Sequence, residues 1–178
     1  MQPKKFAMWL AIVSIIMLFA ALTSAFFVKK ADGLGESIQL PEIFLMNTIV
    51  IIMSSISMQW AYVSARNNEL TTNRVMLMIT VLLGLVFTYG QWTGWGELVE
   101  RNIYFAGPNA LYSFIYVLTG VHALHLISGI IFLLIVLQSS LKYKVHSKSL
   151  LQIQMCTTYW HFLGGLWIYL FLFLTINL

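Results

Sequence analysis

Four side chains in this sequence are of types that could carry redox or proton chemistry inside an apolar setting. Thr119, His122 and His125 stand among Val, Leu and Ile in the run YSFIYVLTGVHALHLISGIIFLLIVL, residues 112–137. His161 stands in TTYWHFLGGLW, beside Trp160. Imidazoles on neighbouring membrane helices can hold haem iron axially or contribute to a copper site. They can equally hydrogen-bond across helices or to lipid headgroups. On a helix, Thr119, His122, His125 and Gly129 fall within about a third of the circumference. Thr157, Trp160, His161 and Gly164 share a face in the later run in the same way. Polar groups turned to hydrocarbon are costly, so such seams must face protein, a cavity or an ordered headgroup.

The spacing favours the structural use of these imidazoles over the metal-binding one. His122 and His125 are three apart on one helix and cannot occupy opposite faces of one haem. No second His pair and no Cys or carboxylate cluster completes a metal shell. The single Cys156 excludes an internal disulfide and any CxxC site, and His146 reads as a loop residue. A free-standing haem-binding electron carrier using His122 or His125 with His161 stays as an alternative. A proton or ion path needs ionisable residues within the membrane, and the apolar runs contain no Asp, Glu, Lys or Arg. Ser54 and Ser128 have no organised base to make them nucleophiles. Glu97 and Glu100 read as a solvated loop pair. Trp60, Trp92, Trp95 and Trp167 suit an interfacial belt more than a quinone pocket. The expectation is a chain with no catalytic, cofactor-binding or metal-ligating residues of its own.

The elements that position these residues are membrane spans. Of 178 residues, 60% are hydrophobic and 9% charged, against about 45–50% and 25% in soluble domains. Crossing the hydrocarbon core takes about 20 apolar residues in a helix. Five runs meet that length, at about 6–28, 43–65, 75–92, 112–137 and 154–176, so the predicted fold is an all-α bundle of five transmembrane helices in one domain spanning 1–178. The third run is expected to stop at a Gly-rich aromatic loop, TGWGE, and the fourth to follow a Gly107-Pro108-Asn109 turn. Lys4 and Lys5 precede the first run, but it is too long for a signal-peptide core and lacks a small-residue cleavage site. No basic cluster of the kind that binds nucleic acid appears.

Charge in the short loops sets the predicted orientation. The N-terminal segment and the second and fourth loops hold seven cations: Lys4, Lys5, Arg66, Arg74, Lys142, Lys144 and Lys148. The other side holds three, Lys29, Lys30 and Arg101, diluted by Asp32, Glu36, Glu42, Glu97 and Glu100. The N-terminus is therefore expected in the cytoplasm and the C-terminus outside. Small and amide residues should mark helix contacts: Asn47, Ser54, Ser55 and Ser57 on the second span, Gly84 on the third, Gly164-Gly165 on the last.

Taken together these motifs resemble subunit III of the haem–copper respiratory oxidases. YSFIYVLTGVHALHLISGII is similar to the family's run of an aromatic, TGxHxxH and a small-residue-Gly pair. TTYWHFLGGLWIYLFLF is similar to its closing YWHFxxxxW segment, at Tyr159, Trp160, His161, Phe162 and Trp167. LPEIFLMNTIVIIMSSISMQWA is similar to its LPxxxLNTxxLxxSS helix, at Pro41, Asn47, Thr48, Ser54 and Ser55. GLVFTYGQ fits at Gly84, Phe87 and Gln91, and AMWLAIVSIIMLFAALTSAFF fits the first shared helix. The family's common form has seven helices, and this chain resembles the last five. A family Glu falls on Ile15 and another on Gly94, so no carboxylate role transfers.

The resemblance implies a non-catalytic accessory subunit in aerobic respiratory electron transport. In the family, haem and copper lie in partner chains. Subunit III packs on subunit I, within a complex that includes subunit II. It holds phospholipid, supports proton uptake and protects the enzyme during turnover. Thr119, His122, His125, Trp160, His161, Asn47 and Gln91 would then be structural or lipid-contacting. The five-helix form implies a bacterial inner (plasma) membrane. The partner enzyme could be a cytochrome c oxidase, a quinol oxidase or a nitric oxide reductase.

Overall fold

The structure is a computed structural model that describes residues 3–31, 40–106, 110–142 and 147–177, with side chains undescribed at 147–149. The expected Gly107-Pro108-Asn109 turn, Asp32, Glu36, Lys144 and His146, and the Lys148 side chain lie outside the described residues.

Five helices account for nearly all of what is described: α1 Pro3–Ala31, α2 Glu42–Arg66, α3 Leu70–Glu100, α4 Ala110–Leu141 and α5 Ser147–Asn177. All five are long and apolar enough to cross a membrane. The longest has 32 residues, about 48 Å at 1.5 Å per residue, against a hydrocarbon core of about 30 Å. Charged residues therefore cluster at helix ends: Lys29 and Lys30 in the last turn of α1, Glu42 in the first turn of α2 and Arg66 in its last. The chain is an all-helical, multi-pass membrane protein.

The third helix differs from expectation. TGWGE, read as a loop, is helical, and α3 continues to Glu100. The two glycines that suggested a loop play different parts. A Cβ on Gly94 would lie 2.8 Å from the Phe44 ring of α2, so this glycine permits close helix packing. Gly96 faces open space. With neighbouring turns holding the helix together, two glycines at a cost of about 1 kcal/mol each do not break it. The chain turns out of α3 just past Glu100 at Asn102, whose φ of 60° is left-handed, a conformation that Asn tolerates better than most residues. Asn68, at φ 61°, turns the chain between α2 and α3 in the same way.

α2, α3, α4 and α5 pack in a ring, α2 on α3, α3 on α4, α4 on α5 and α5 on α2, while α1 lies against α4 and α5. The interior is rich in large rings: Trp160, Trp167, Phe19, Phe26, Phe44 and Phe87 are all at most 1% exposed. Met17, Leu82 and Ile176 point outward, which suits a surface solvated by lipid rather than water.

Candidate functional site

Most of the polar side chains singled out from the sequence lie at helix interfaces, and Thr119, His122, His125 and His161 each take a different neighbour. His122 is fully buried. Its Nε2 lies 3.0 Å from the Leu163 carbonyl of α5. That carbonyl can only accept, so Nε2 carries the proton, and the ring joins α4 to α5. Phe87 of α3 and Trp167 of α5 pack on the same imidazole, with centroids 6.0 and 5.2 Å away. One helical turn earlier, the Thr119 hydroxyl donates to the Ile115 carbonyl at 2.7 Å and accepts the Trp95 indole N–H from α3 at 3.0 Å. The sequence seam on α4 thus faces protein.

His125 turns away from His122. Its Nδ1 donates to the Val121 carbonyl of its own helix at 2.7 Å, and the ring meets Phe19 of α1. His161 leans toward α2. Its Nε2 donates to Gln59 Oε1 at 3.1 Å, so Nδ1, 3.2 Å from Ser55 Oγ, accepts from that hydroxyl. The three imidazoles therefore point toward α5, α1 and α2 respectively. A haem held by His122 or His125 with His161 needs the rings to converge on one iron. These residues do not fit that group. Among the described residues, no three His, Cys, Asp or Glu side chains come together.

Trp160 and Trp167 are one heptad apart on α5 and point the same way. The Trp160 indole donates to Ser54 Oγ at 3.0 Å and Trp167 to Thr48 Oγ1 at 3.1 Å, both on α2. Trp167 is thus a core residue, not the interfacial belt residue its position near a helix end suggested. Trp95 is half-buried for a similar reason, because Thr119 offers its indole an acceptor. Trp60 and Trp92 do lie on the outer surface, 57% and 72% exposed.

The glycines and serines give the interface its closeness. A Cβ on Gly84 would meet the Trp160 ring at 2.9 Å, and one on Gly129 the Leu163 side chain at 2.8 Å. Ser57 shares a hydrogen bond with Thr80 of α3 at 2.8 Å. Gly164 approaches Ser55, whereas Gly165, expected to make a helix contact, has open space around it. Asn47, expected to bond across helices, instead packs its amide against Gly90. Among the described residues, Asn47 Nδ2 and both polar atoms of Gln91 have no partner, although the two residues are 3% and 1% exposed.

A second polar cluster was not singled out from the sequence. Asn73 of α3 is 1% exposed. Its Nδ2 donates to the Ala61 carbonyl of α2 at 2.7 Å, and its Oδ1 accepts from Ser140 Oγ of α4 at 2.8 Å. Arg74 Nε donates to the Ser140 carbonyl at 3.1 Å. One side chain thus ties three helices at one end of the bundle. Its signal was an Asn placed before an apolar run, which reads equally well as a solvated loop residue.

The fold and this fastening together define a helical membrane bundle whose interior polar groups join helices. The chain belongs to the cytochrome c oxidase subunit III family: the model for Cytochrome c oxidase subunit III matches residues 1–177. Similar curated proteins carry the name cytochrome c oxidase subunit 3. The one from Petromyzon marinus is 32% identical over 183 residues, covering 96% of this chain and 68% of the lamprey protein. The one from Corynebacterium diphtheriae is 28% identical over 165 residues, covering 88% of this chain and 80% of that protein. The match to the Pan troglodytes protein, 36% identical, covers 73% of this chain and 48% of the relative. The chain thus spans about half to two thirds of the longer vertebrate relatives.

Proposed function

We propose that this chain is the accessory subunit III of a haem–copper terminal oxidase of the cytochrome c oxidase type, and that it acts by packing rather than by reacting. Membership of the subunit III family across 1–177 carries the reading. The direction of the imidazoles supports it. Each of His122, His125 and His161 is engaged with a different neighbour inside the bundle, and a group held between neighbouring helices resists being drawn into ligation. Haem and copper belong in this reading to partner chains, with subunit I as the main contact and subunit II in the same complex. No step of oxygen reduction passes through a residue of this chain. Its work is to brace subunit I, hold phospholipid and support proton uptake and turnover.

The exposed apolar side chains on all five helices offer ample surface to lipid and to a partner's spans. The membrane is a bacterial inner membrane, a reading supported by the 80% coverage of the Corynebacterium protein. Loop charge favours a cytoplasmic N-terminus. The test is purification of the tagged full chain from its native membrane in mild detergent. Haem-bearing chains are expected to co-purify and to consume oxygen with reduced cytochrome c, and the chain stripped from them is expected to show no Soret band. A haem spectrum from the chain alone, or its recovery with no oxidase chain, would overturn the proposal.

A further inference from the structure

Two bonded polar side chains reach the outer surface at a depth where lipid has nothing to offer them. His161 lies 11 residues from Leu150 and 16 from Asn177, the ends of its apolar span. About 16 Å of helix separates it from the nearer end, in a hydrocarbon core about 30 Å thick. This imidazole is thus near mid-membrane. Gln59 of α2 accepts from His161 Nε2 at 3.1 Å. Its side chain is exposed, and it stands seven residues before Arg66 at the end of α2, about 10 Å along the helix. Gln59 Oε1 is engaged by His161, but its Nε2 has no partner among the described residues. Lipid esters and headgroups lie at the edge of the hydrocarbon core, and acyl chains carry no acceptor. The amide N–H therefore finds no lipid partner at this depth.

The surroundings have the form that a helix fills. A groove of about 500 Å³ runs beside His161, walled by Ser55, Ile56, Gln59, Trp60 and Val63 of α2. Ile52, Ile56, Gln59 and Val63 recur at spacings of four, three and four, and all are exposed. That is the pattern by which one helix seats against another, and a single polar member of such a seam sets register and partner. On α5, Gly165 follows His161 by one turn, is exposed, and has nothing within 4 Å of an added Cβ. A small residue on an outward face lets another helix approach closely.

We propose that the outer groove between α2 and α5 seats one membrane-spanning helix of a partner protein, and that this helix presents a hydroxyl or amide oxygen to Gln59 Nε2. A second copy meeting this chain through the same face would set groove against groove, whereas a single helix supplies the ridge. The inference rests on the reading that this chain acts by packing within a complex, and it gives that packing a face and a chemistry.

The tagged full chain carries p-benzoylphenylalanine at Ile56, 56% exposed, and is irradiated in its native membrane. Adducts are mapped by mass spectrometry. They are expected to fall on one apolar span of a single partner chain, close to a Ser, Thr, Asn or Gln. Gln59→Leu is expected to cut the cross-link at least threefold. Because Gln59 also holds His161, Gly165→Leu is the second variant. It fills open space without removing a bond inside the bundle, and it is expected to cut the cross-link at least fivefold while the thermal melt of the purified chain is unchanged. Adducts with lipid alone, adducts with a second copy of this chain, or a yield unchanged in both variants would overturn the site. Haem-bearing chains that co-purify while Ile56 labels only lipid would refute this face and leave the proposed function standing. A cross-linked partner that belongs to no oxidase would refute the proposed function and leave the face.

Discussion

The Trp160 indole N–H donates to the Ser54 hydroxyl at 3.0 Å, joining α5 to α2 across 106 residues of sequence. The same ring lies against Gly84 of α3 and Gly129 of α4. One side chain therefore touches three other helices of the ring. Ser54→Ala leaves the indole N–H buried without an acceptor, and a cost of about 1–2 kcal/mol is expected. Trp160→Phe in the Ser54→Ala background is expected to add less than it does alone, since the bond is already gone. Unfolding titrations in mixed micelles measure the cycle, and strict additivity would contradict the coupling.

His122→Leu removes the bond to the Leu163 carbonyl but keeps an apolar body between Phe87 and Trp167. An interhelical bond of this kind is worth roughly 0.6–2 kcal/mol. The expected outcome is a lower yield of assembled complex, with turnover per haem in what does assemble close to that of the unaltered enzyme. Full assembly with lost turnover would contradict a structural role for this imidazole.

The glycines divide into two groups by what surrounds them. A Cβ on Gly90 would lie 2.0 Å from Asn47 Oδ1, whereas one on Gly165 meets nothing within 4 Å. Gly90→Ala is expected to destabilise by about 1–3 kcal/mol through overpacking, and Asn47→Ala in the same chain is expected to relieve it. Gly165→Ala is expected to be neutral or to stabilise by up to about 1 kcal/mol through helix propensity. Thermal melts of the three variants separate these outcomes.

Asn73→Leu deletes two hydrogen bonds to two helices, those to the Ala61 carbonyl and Ser140. A loss of about 2–3 kcal/mol is expected, because the groups left behind remain buried. Ser140→Ala is expected to cost about 1 kcal/mol, since Asn73 keeps its bond to Ala61. Equal effects for the two substitutions would show that the amide is not the centre of the cluster.

Much of this architecture is legible in one dimension. Hydropathy run length and the loop cations are local properties, so five spans could be read directly, and the period of an α-helix put Thr119, His122 and Gly129 on one face before any neighbour was known. The same runs showed that the spans contain no Asp, Glu, Lys or Arg. Tertiary structure decided which neighbour each polar atom meets. Trp167 points into the core because Thr48 of another helix offers it an acceptor, and TGWGE stays helical where Phe44 closes over Gly94. His125 and His161 part company with His122 because α1, which meets His125, packs on α4 and α5, whereas α2, which meets His161, packs on α3 and α5. In hydrocarbon a polar side chain is driven to some partner. The need is written in the residue type, but the partner comes from a distant stretch of chain that only packing brings within 3 Å or so.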